Sequence, residues 1–242
     1  MINQANPLNL DKSINIYDLK VNNQTGWGYG GYISSLTFSD DGELLSGASI
    51  SGCCFIWDSS NWEVLQMLRD KEEKEIEEFY CSRFIGNGKY VATCGKRKSR
   101  STWSEEDQDN FCLPGKIKIF DIYSGKVLFR MDGHTEEILC LKSLWFQGSE
   151  YLLSCGEDGQ IIKWKFEDDY SAFTKTFIDD NSTHNACSLS FLNDCGNKFF
   201  IAGCDEGVKV YDFEKNLVCN NNNFIFIFVN INTLNLVSCI IF

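Results

Sequence analysis

Residues 133–164 read GHTEEILCLKSLWFQGSEYLLSCGEDGQIIKW, and this stretch decides the fold. It opens on Gly133-His134, passes through two apolar segments and the turn at residues 157–159, and closes on a short apolar segment that ends in Trp164. The same closing element, in which apolar alternation ends in an aromatic residue that is usually followed by Asp, recurs along the chain. A supersecondary unit that returns at a regular interval predicts a repeat architecture.

The recurring element is anchored by aromatic residues whose separations are 40, 63, 44 and 47 residues. Three of these intervals fit one repeat length of about 40–45 residues. The long second interval therefore predicts an insertion of roughly 20 residues in the second repeat. The anchors are Tyr17, Trp57, Phe120, Trp164 and Tyr211.

Each repeat is predicted to contain four short strands, because apolar alternation, β-branched and aromatic residues, and Gly, Asp and Ser at the breaks favour strands over helices. In the first repeat, the predicted strands at residues 33–39 and 43–47 are joined by Asp40-Asp41-Gly42, a strong hairpin signal. In the third repeat, strands are predicted at residues 138–145, 151–154, 161–166 and 173–177.

On these residues the chain resembles the WD40-repeat family over about residues 13–218. The resemblance implies an all-β, WD40-type β-propeller. Four full repeats and a leading half-repeat predict an incomplete propeller of four full blades plus a leading half-blade. The predicted organisation is a disordered N-terminus at residues 1–12, propeller repeats at residues 13–219 with an insertion at residues 96–115, and an atypical tail at residues 220–242.

The resemblance also implies a buried hydrogen-bonded set of four side chains in each well-formed repeat. In the third repeat the matching residues are His134, Ser154, Asp158 and Trp164. The fourth repeat keeps His184, Asp205 and Tyr211, whereas the first has Ser51 in place of the Asp. These residues are expected to order the blades, and no catalytic role is predicted for them.

The tail at residues 220–242 begins with an Asn run and continues as an uncharged apolar segment. Three interpretations stay open. The first is a membrane anchor, because the length of the apolar segment approaches the roughly 20 residues of a spanning helix, although polar residues interrupt it. The second is a pair of further strands that help to close the ring. The third is sequence foreign to the fold.

Net charge, cysteine content and the lack of known motifs argue against several classes of function. The formal net charge of −12 argues against nucleic acid and against anionic membrane surfaces as partners, because both are bound through basic faces. The 12 cysteines form no C-x-x-C pair and are interpreted as small buried apolar residues in a reducing compartment. No metal, cofactor or small-molecule substrate is predicted, and no catalytic motif is present. The N-terminus has no apolar signal segment, so the expected location is the cytoplasm or nucleus.

Two segments of the second repeat, residues 69–78 and 96–115, break the repeat pattern and are predicted to be long connections on one face, at the channel mouth. The second combines a basic run, an acidic run and two aromatic residues, which suit a protein interface. The alternative is a solvated loop whose charges pair with each other. The candidate partner-binding residues are Lys96, Arg97, Lys98, Arg100, Trp103, Glu105, Glu106, Asp107 and Phe111.

The sequence thus predicts a non-enzymatic scaffold that binds other proteins or peptides. Two alternatives are a substrate-recruiting subunit of a ubiquitin ligase or a histone-peptide reader, and an incomplete propeller without independent function. The ligase alternative is weakened because Ser59-Ser60 follows Trp57-Asp58, where receptors of the cullin-4 type often carry Arg.

Overall fold

The computed structural model describes residues 32–179, 186–191, 199–204 and 207–218. Within these ranges the strands form four antiparallel sheets, each built from consecutive parts of the chain. Blade 1 contains β1 (Ile33–Phe38), β2 (Leu44–Ser49), β3 (Cys53–Asp58) and β4 (Val64–Leu68). Blade 2 contains β5 (Ile76–Ile85), β6 (Tyr90–Ser104), β7 (Asp109–Leu113), β8 (Lys116–Asp121) and β9 (Val127–Asp132).

Blade 3 contains β10 (Ile138–Phe146), β11 (Ser149–Gly156), β12 (Ile161–Phe166) and β13 (Phe173–Asp179). Blade 4 contains β14 (Ala186–Phe191), β15 (Phe199–Cys204), β16 (Gly207–Asp212) and β17 (Leu217–Val218). The four strands predicted in the third repeat are all present, and all but β12 are longer than predicted. This up-and-down order, repeated sheet after sheet, is that of a β-propeller.

The hairpin predicted at Asp41-Gly42 is present and its local chemistry explains it. Gly42 has a φ of 75°, which a residue without Cβ adopts at no steric cost. The Asp41 carboxylate accepts hydrogen bonds from the Ser39 hydroxyl and the Glu43 amide, which fixes the turn between β1 and β2. The Asp-Gly signal therefore acts through both backbone freedom and side-chain capping.

The core lies between the blades. Blade 1 packs on blade 2 through a buried cluster that includes Ile56, Phe79 and Phe120. Blade 2 packs on blade 3 through a second cluster that includes Ile119 and Trp164. Because each sheet buries apolar side chains on the faces that meet its neighbours, the stacking of blades forms the core.

The insertion in the second repeat is not the irregular connection that the sequence predicted. Strand β6 continues past the blade as far as Ser104, and β7 returns antiparallel to it, from the pair Ser104–Asp109 to the pair Arg97–Leu113. We call residues 97–113 the inserted hairpin. The irregularity is confined to a bulge, since Lys98 faces Cys112 while the next paired residue, Trp103, faces Asn110. A polar segment that starts from a paired strand can extend the sheet, because its backbone groups are then satisfied by pairing.

Some predictions concern residues outside the described ranges. These are the disordered N-terminus at residues 1–12, the leading half-blade anchored by Tyr17, the tail at residues 220–242, and the side chains of His184 and Asp205. In the part of the chain that the structure describes, no helix is long and apolar enough to cross a membrane.

Candidate functional site

The four side chains named in the third repeat lie in one hydrogen-bonded set. His134 Nδ1 lies 2.9 Å from Asp158 Oδ2, and His134 Nε2 lies 2.7 Å from Ser154 Oγ. Trp164 Nε1 donates to the same Ser154 oxygen at 2.9 Å. Because the indole N–H can only donate, the Ser154 hydroxyl is free to donate to His134 Nε2, and the Nδ1 proton is then donated to Asp158.

Asp158 completes the set at the turn between β11 and β12. Its carboxylate also accepts the backbone amides of Thr135 and Gln160, at 2.8 and 3.0 Å. Burial raises the pKa of Asp158, but the hydrogen bonds that its carboxylate accepts from His134 and from the two amides outweigh burial, so the pKa is lowered. The set therefore fixes the connection between β9 and β10 to the turn between β11 and β12 in blade 3.

Ser154, His134 and Asp158 stand in the order of a nucleophile, a base and an orienting acid. The Ser154 side chain is fully buried, and its oxygen already accepts the indole N–H of Trp164. An attacking hydroxyl needs an electrophile about 3 Å away, and here that space is filled by the blade. The arrangement supports the fold of the blade and does not suit nucleophilic catalysis.

Blade 1 lacks the serine of this set for a steric reason, and Ser51 stands in the place of the aspartate. Gly47 stands ten residues before Trp57, as Ser154 does before Trp164. A Cβ added at Gly47 would lie 2.6 Å from the Trp57 ring, so the indole occupies the space that a serine would need. Trp57 Nε1 consequently has no hydrogen-bond partner among the described residues.

Blade 2 has a buried ionic cluster that the sequence did not predict. Lys118 is fully buried in β8, and its Nζ lies 2.7 Å from Asp70, 3.0 Å from Glu73 and 2.6 Å from Glu77. Arg130 in β9 binds the Asp70 carboxylate through two hydrogen bonds of 2.7 Å. The three carboxylates belong to the connection before β5 and its first residues, so the cluster fastens residues 70–77 to blade 2.

The carboxylates of this cluster respond differently to burial. Burial raises the pKa of Glu73, but the Glu75 amide, Lys118 and Arg97 outweigh it and lower that pKa to about 2. The pKa of Asp70 is also lowered, by Arg130 and Lys118 against burial. Burial dominates at Glu77, whose pKa is raised despite its contact with Lys118. Asp70 and Glu73 thus have further hydrogen-bond partners besides Lys118, whereas Lys118 alone lowers the pKa of Glu77 and does not outweigh burial.

The basic residues of the inserted hairpin are engaged within the chain. Lys98 Nζ lies 2.6 Å from Glu78 and 3.1 Å from Asp109, and Arg97 lies 3.4 Å from Glu73. Lys96 forms an ion pair with Glu137 at the start of blade 3, and Arg100 donates to the backbone carbonyl of Lys74 at 2.7 Å. The alternative interpretation of the sequence was a solvated loop in which the charges of the insertion pair with each other. Of the basic residues only Lys98 does so, and the others bind residues 73–78 or blade 3.

Residues 69–78 and the inserted hairpin therefore lie side by side at one end of blade 2. Strand β5 pairs with β6 from Ile76 opposite Lys98 onward, and the Glu75 carboxylate accepts the Arg100 amide at 2.7 Å. These contacts make the base of the hairpin rigid, while its far end extends into solvent.

The exposed part of the hairpin carries the aromatic and acidic candidates. Trp103 is 53% exposed and Phe111 is 52% exposed. The register places them on opposite faces, because Trp103 faces Asn110 and Phe111 is the next residue along β7. Between the two strands, an exposed turn contains Glu105, Glu106 and Asp107.

The comparisons with known proteins agree with this geometry. The family model described as "WD domain, G-beta repeat" matches residues 21–58 and 125–165. These two segments of the chain are similar to WD40 repeats. The second match contains the hydrogen-bonded set around His134, and the first ends at Trp57-Asp58.

The curated relatives share only part of their length with this chain. Cilia- and flagella-associated protein 57 C of Tetrahymena thermophila is 28% identical over 109 residues, which is 42% of this chain and 7% of that protein. The WD repeat-containing protein 91 homolog of Dictyostelium discoideum is 35% identical over 101 residues, which is 36% of this chain and 12% of that protein.

Solved structures show the same fold at low identity. The structure of U3-55K superposes with a TM-score of 0.55 at 16% identity, covering 79% of this chain and 52% of that one. The β-propeller domain of Cps50 (Swd1) from Myceliophteria thermophila gives a TM-score of 0.55 at 12% identity, covering 78% of this chain and 55% of that one. The chain thus spans about half the length of each of these two solved chains.

Proposed function

We propose that this chain is a non-enzymatic WD40 scaffold that binds protein partners through the inserted hairpin. The WD40 repeats and the similarity to WD-repeat proteins support a role in protein interaction. The observation that carries the proposal is the hairpin itself, a chain-specific element that is fixed at its base by ion pairs and presents Trp103 to solvent.

The physical argument concerns the cost of binding. A flexible loop must lose conformational freedom when a partner binds, whereas a hairpin fixed by pairing and ion pairs has already lost most of it. An exposed indole on a rigid support, surrounded by charged residues, matches the composition of an interface centre with a polar rim. The buried Ser154–His134–Asp158 set supports a non-enzymatic role, because its serine is enclosed.

The test is quantitative affinity capture with the full chain and two variants. Trp103→Ala removes the exposed indole, and Tyr123→Ala removes an exposed aromatic residue at the opposite end of blade 2, beyond Asp121 in the turn after β8. We expect Trp103→Ala to weaken capture of a specific partner by about 2 kcal/mol, or roughly 30-fold, and Tyr123→Ala to leave it unchanged. The proposal is contradicted if both variants capture the partner with the same affinity as the parent chain.

A further inference from the structure

Strand β7 ends the sheet on one side of the inserted hairpin. It pairs with β6 and, among the described residues, with no other strand. Strands β7 and β8 lie on the same side of β6, because β5 occupies the other side of β6 both at residues 90–93, which pair with β8, and at residues 97–98, which pair with β7. The edge of β7 that faces away from β6 therefore continues the edge of β8 that pairs with β9. A strand added beside β7 would lie in line with β9.

The two faces of β7 differ in chemistry. On one face, Phe111 stands exposed on the edge strand itself. On the other face, the Cys112 thiol lies 3.9 Å from the Glu137 carboxylate. A strand placed beside β7 would set alternate side chains over these two faces.

Acidic residues outnumber basic ones around the Cys112 face, although Lys98 lies opposite Cys112 on this face and Lys96 is paired with Glu137. Burial raises the pKa of the Cys112 thiol, and the charges of Glu137, Glu136 and Glu157 raise it further against the opposing charge of Lys96. The exposed carboxylate of Asp132 stands at the end of β9, where the vacant position begins. At the other end lies the acidic turn of residues 105–107.

We propose that the free edge of β7 binds an extended partner segment by strand addition, and that this segment alternates basic and apolar side chains. The inference rests on the proposed function and specifies its mode and partner chemistry. Main-chain hydrogen bonds to the unpaired groups of β7 supply affinity, as in other cases of strand addition. The apolar side chains of the segment pack on Phe111, and its Lys or Arg side chains meet the exposed carboxylates of Glu136 and of the acidic turn.

The probe is a synthetic heptapeptide of alternating lysine and valine, labelled for fluorescence anisotropy and titrated with the full chain. We expect saturable binding, and binding at least about tenfold weaker when glutamate replaces each lysine. Phe111→Ala should weaken binding, whereas Tyr123→Ala, at the other end of the blade, should leave it unchanged.

Backbone methylation separates strand addition from side-chain contact alone. One peptide is N-methylated at its lysine amides and another at its valine amides, which point to opposite edges of an extended strand. Strand addition predicts that one of these peptides binds at least about tenfold more weakly, because it loses several main-chain hydrogen bonds, while the other binds like the parent. Equal binding by both, or no binding of the parent peptide, overturns the inference.

The two proposals fail in distinguishable ways. If partner capture depends on Trp103 but the two N-methylated peptides bind equally, the scaffold role is supported and strand addition is excluded. Capture that is insensitive to Trp103→Ala removes the proposed function itself, whatever the peptide does.

Discussion

Lys118 and Asp70 form an ion pair from which water is excluded, with 2.7 Å between Nζ and Oδ2 and at most 1% of either side chain exposed. The two residues lie on β8 and on the connection before β5. The pair therefore holds in blade 2 the kind of connection that the His134 set holds in blade 3. Two different chemistries perform the same structural task in neighbouring blades.

Replacing Lys118 with Met should strongly destabilise the chain. The variant leaves buried carboxylates without their shared cation, a loss that costs about 3–5 kcal/mol. Urea unfolding of the parent and the variant measures it. Lys116→Met is the matched control, because Lys116 lies on the same strand as Lys118 but pairs with the exposed Asp132 of β9. This substitution should change the free energy of unfolding by about 1 kcal/mol or less. Similar effects of the two substitutions would show that the cluster does not hold the blade.

Acid should weaken the fold through the same cluster. The pKa of Glu73 is lowered in the folded chain from an ordinary 4.5 to about 2, so its contribution is complete above pH 4.5 and is lost as the pH falls towards 2. Asp70 contributes with the same sign, and Glu77, whose pKa is raised, with the opposite sign. We expect Glu73→Gln to lose less stability than the parent chain between pH 5 and pH 3, measured by urea unfolding. An equal loss in both would contradict the assignment.

Ser154→Ala should destabilise blade 3. The substitution leaves the Trp164 indole N–H and His134 Nε2 buried without their partner, and each such group costs about 1–3 kcal/mol. Thermal or urea unfolding measures the change. Ser171→Ala, at an exposed position, should stay within about 0.5 kcal/mol of the parent. A variant as stable as this control would mean that the set contributes nothing to the fold.

Gly47→Ala tests why blade 1 lacks the serine of the set. The new Cβ would meet the buried Trp57 ring at 2.6 Å, and such overpacking costs about 1–3 kcal/mol. Gly203, in the corresponding strand of blade 4, is the control, since the nearest atom to an added Cβ is 3.9 Å away. Stability is compared by urea unfolding. Equal stability of the two variants would show that Trp57 moves aside without cost.

The repeat architecture was readable from the sequence because its signals are local, and the His134 set was implied by the resemblance to the WD40 family, whose matching residues lie within one repeat. Asp41-Gly42 determines a turn within a few residues, and His134, Ser154 and Trp164 follow each other within one repeat. The Lys118 cluster was not readable in this way. Its partners stand more than 40 residues earlier, and a lysine that alternates with isoleucines looks like part of a solvent-facing strand.

The inserted hairpin was located correctly but its form was not. A long interval between Trp57 and Phe120 shows that residues have been added, whereas only tertiary pairing decides whether they form a loop or extend the sheet. The opposite faces of Trp103 and Phe111 follow from the register at Asn110, which depends on the bulge after Lys98. No spacing rule in the sequence gives that register.

Hydrogen exchange of the full chain, measured with and without a partner captured through Trp103, tests the central claim most directly. The account predicts that slowing of exchange is concentrated in residues 99–113, with the β8–β9 turn around Tyr123 unchanged. Slowing at that turn, with residues 99–113 exchanging as in the free chain, would contradict the assignment of the inserted hairpin as the partner-binding element.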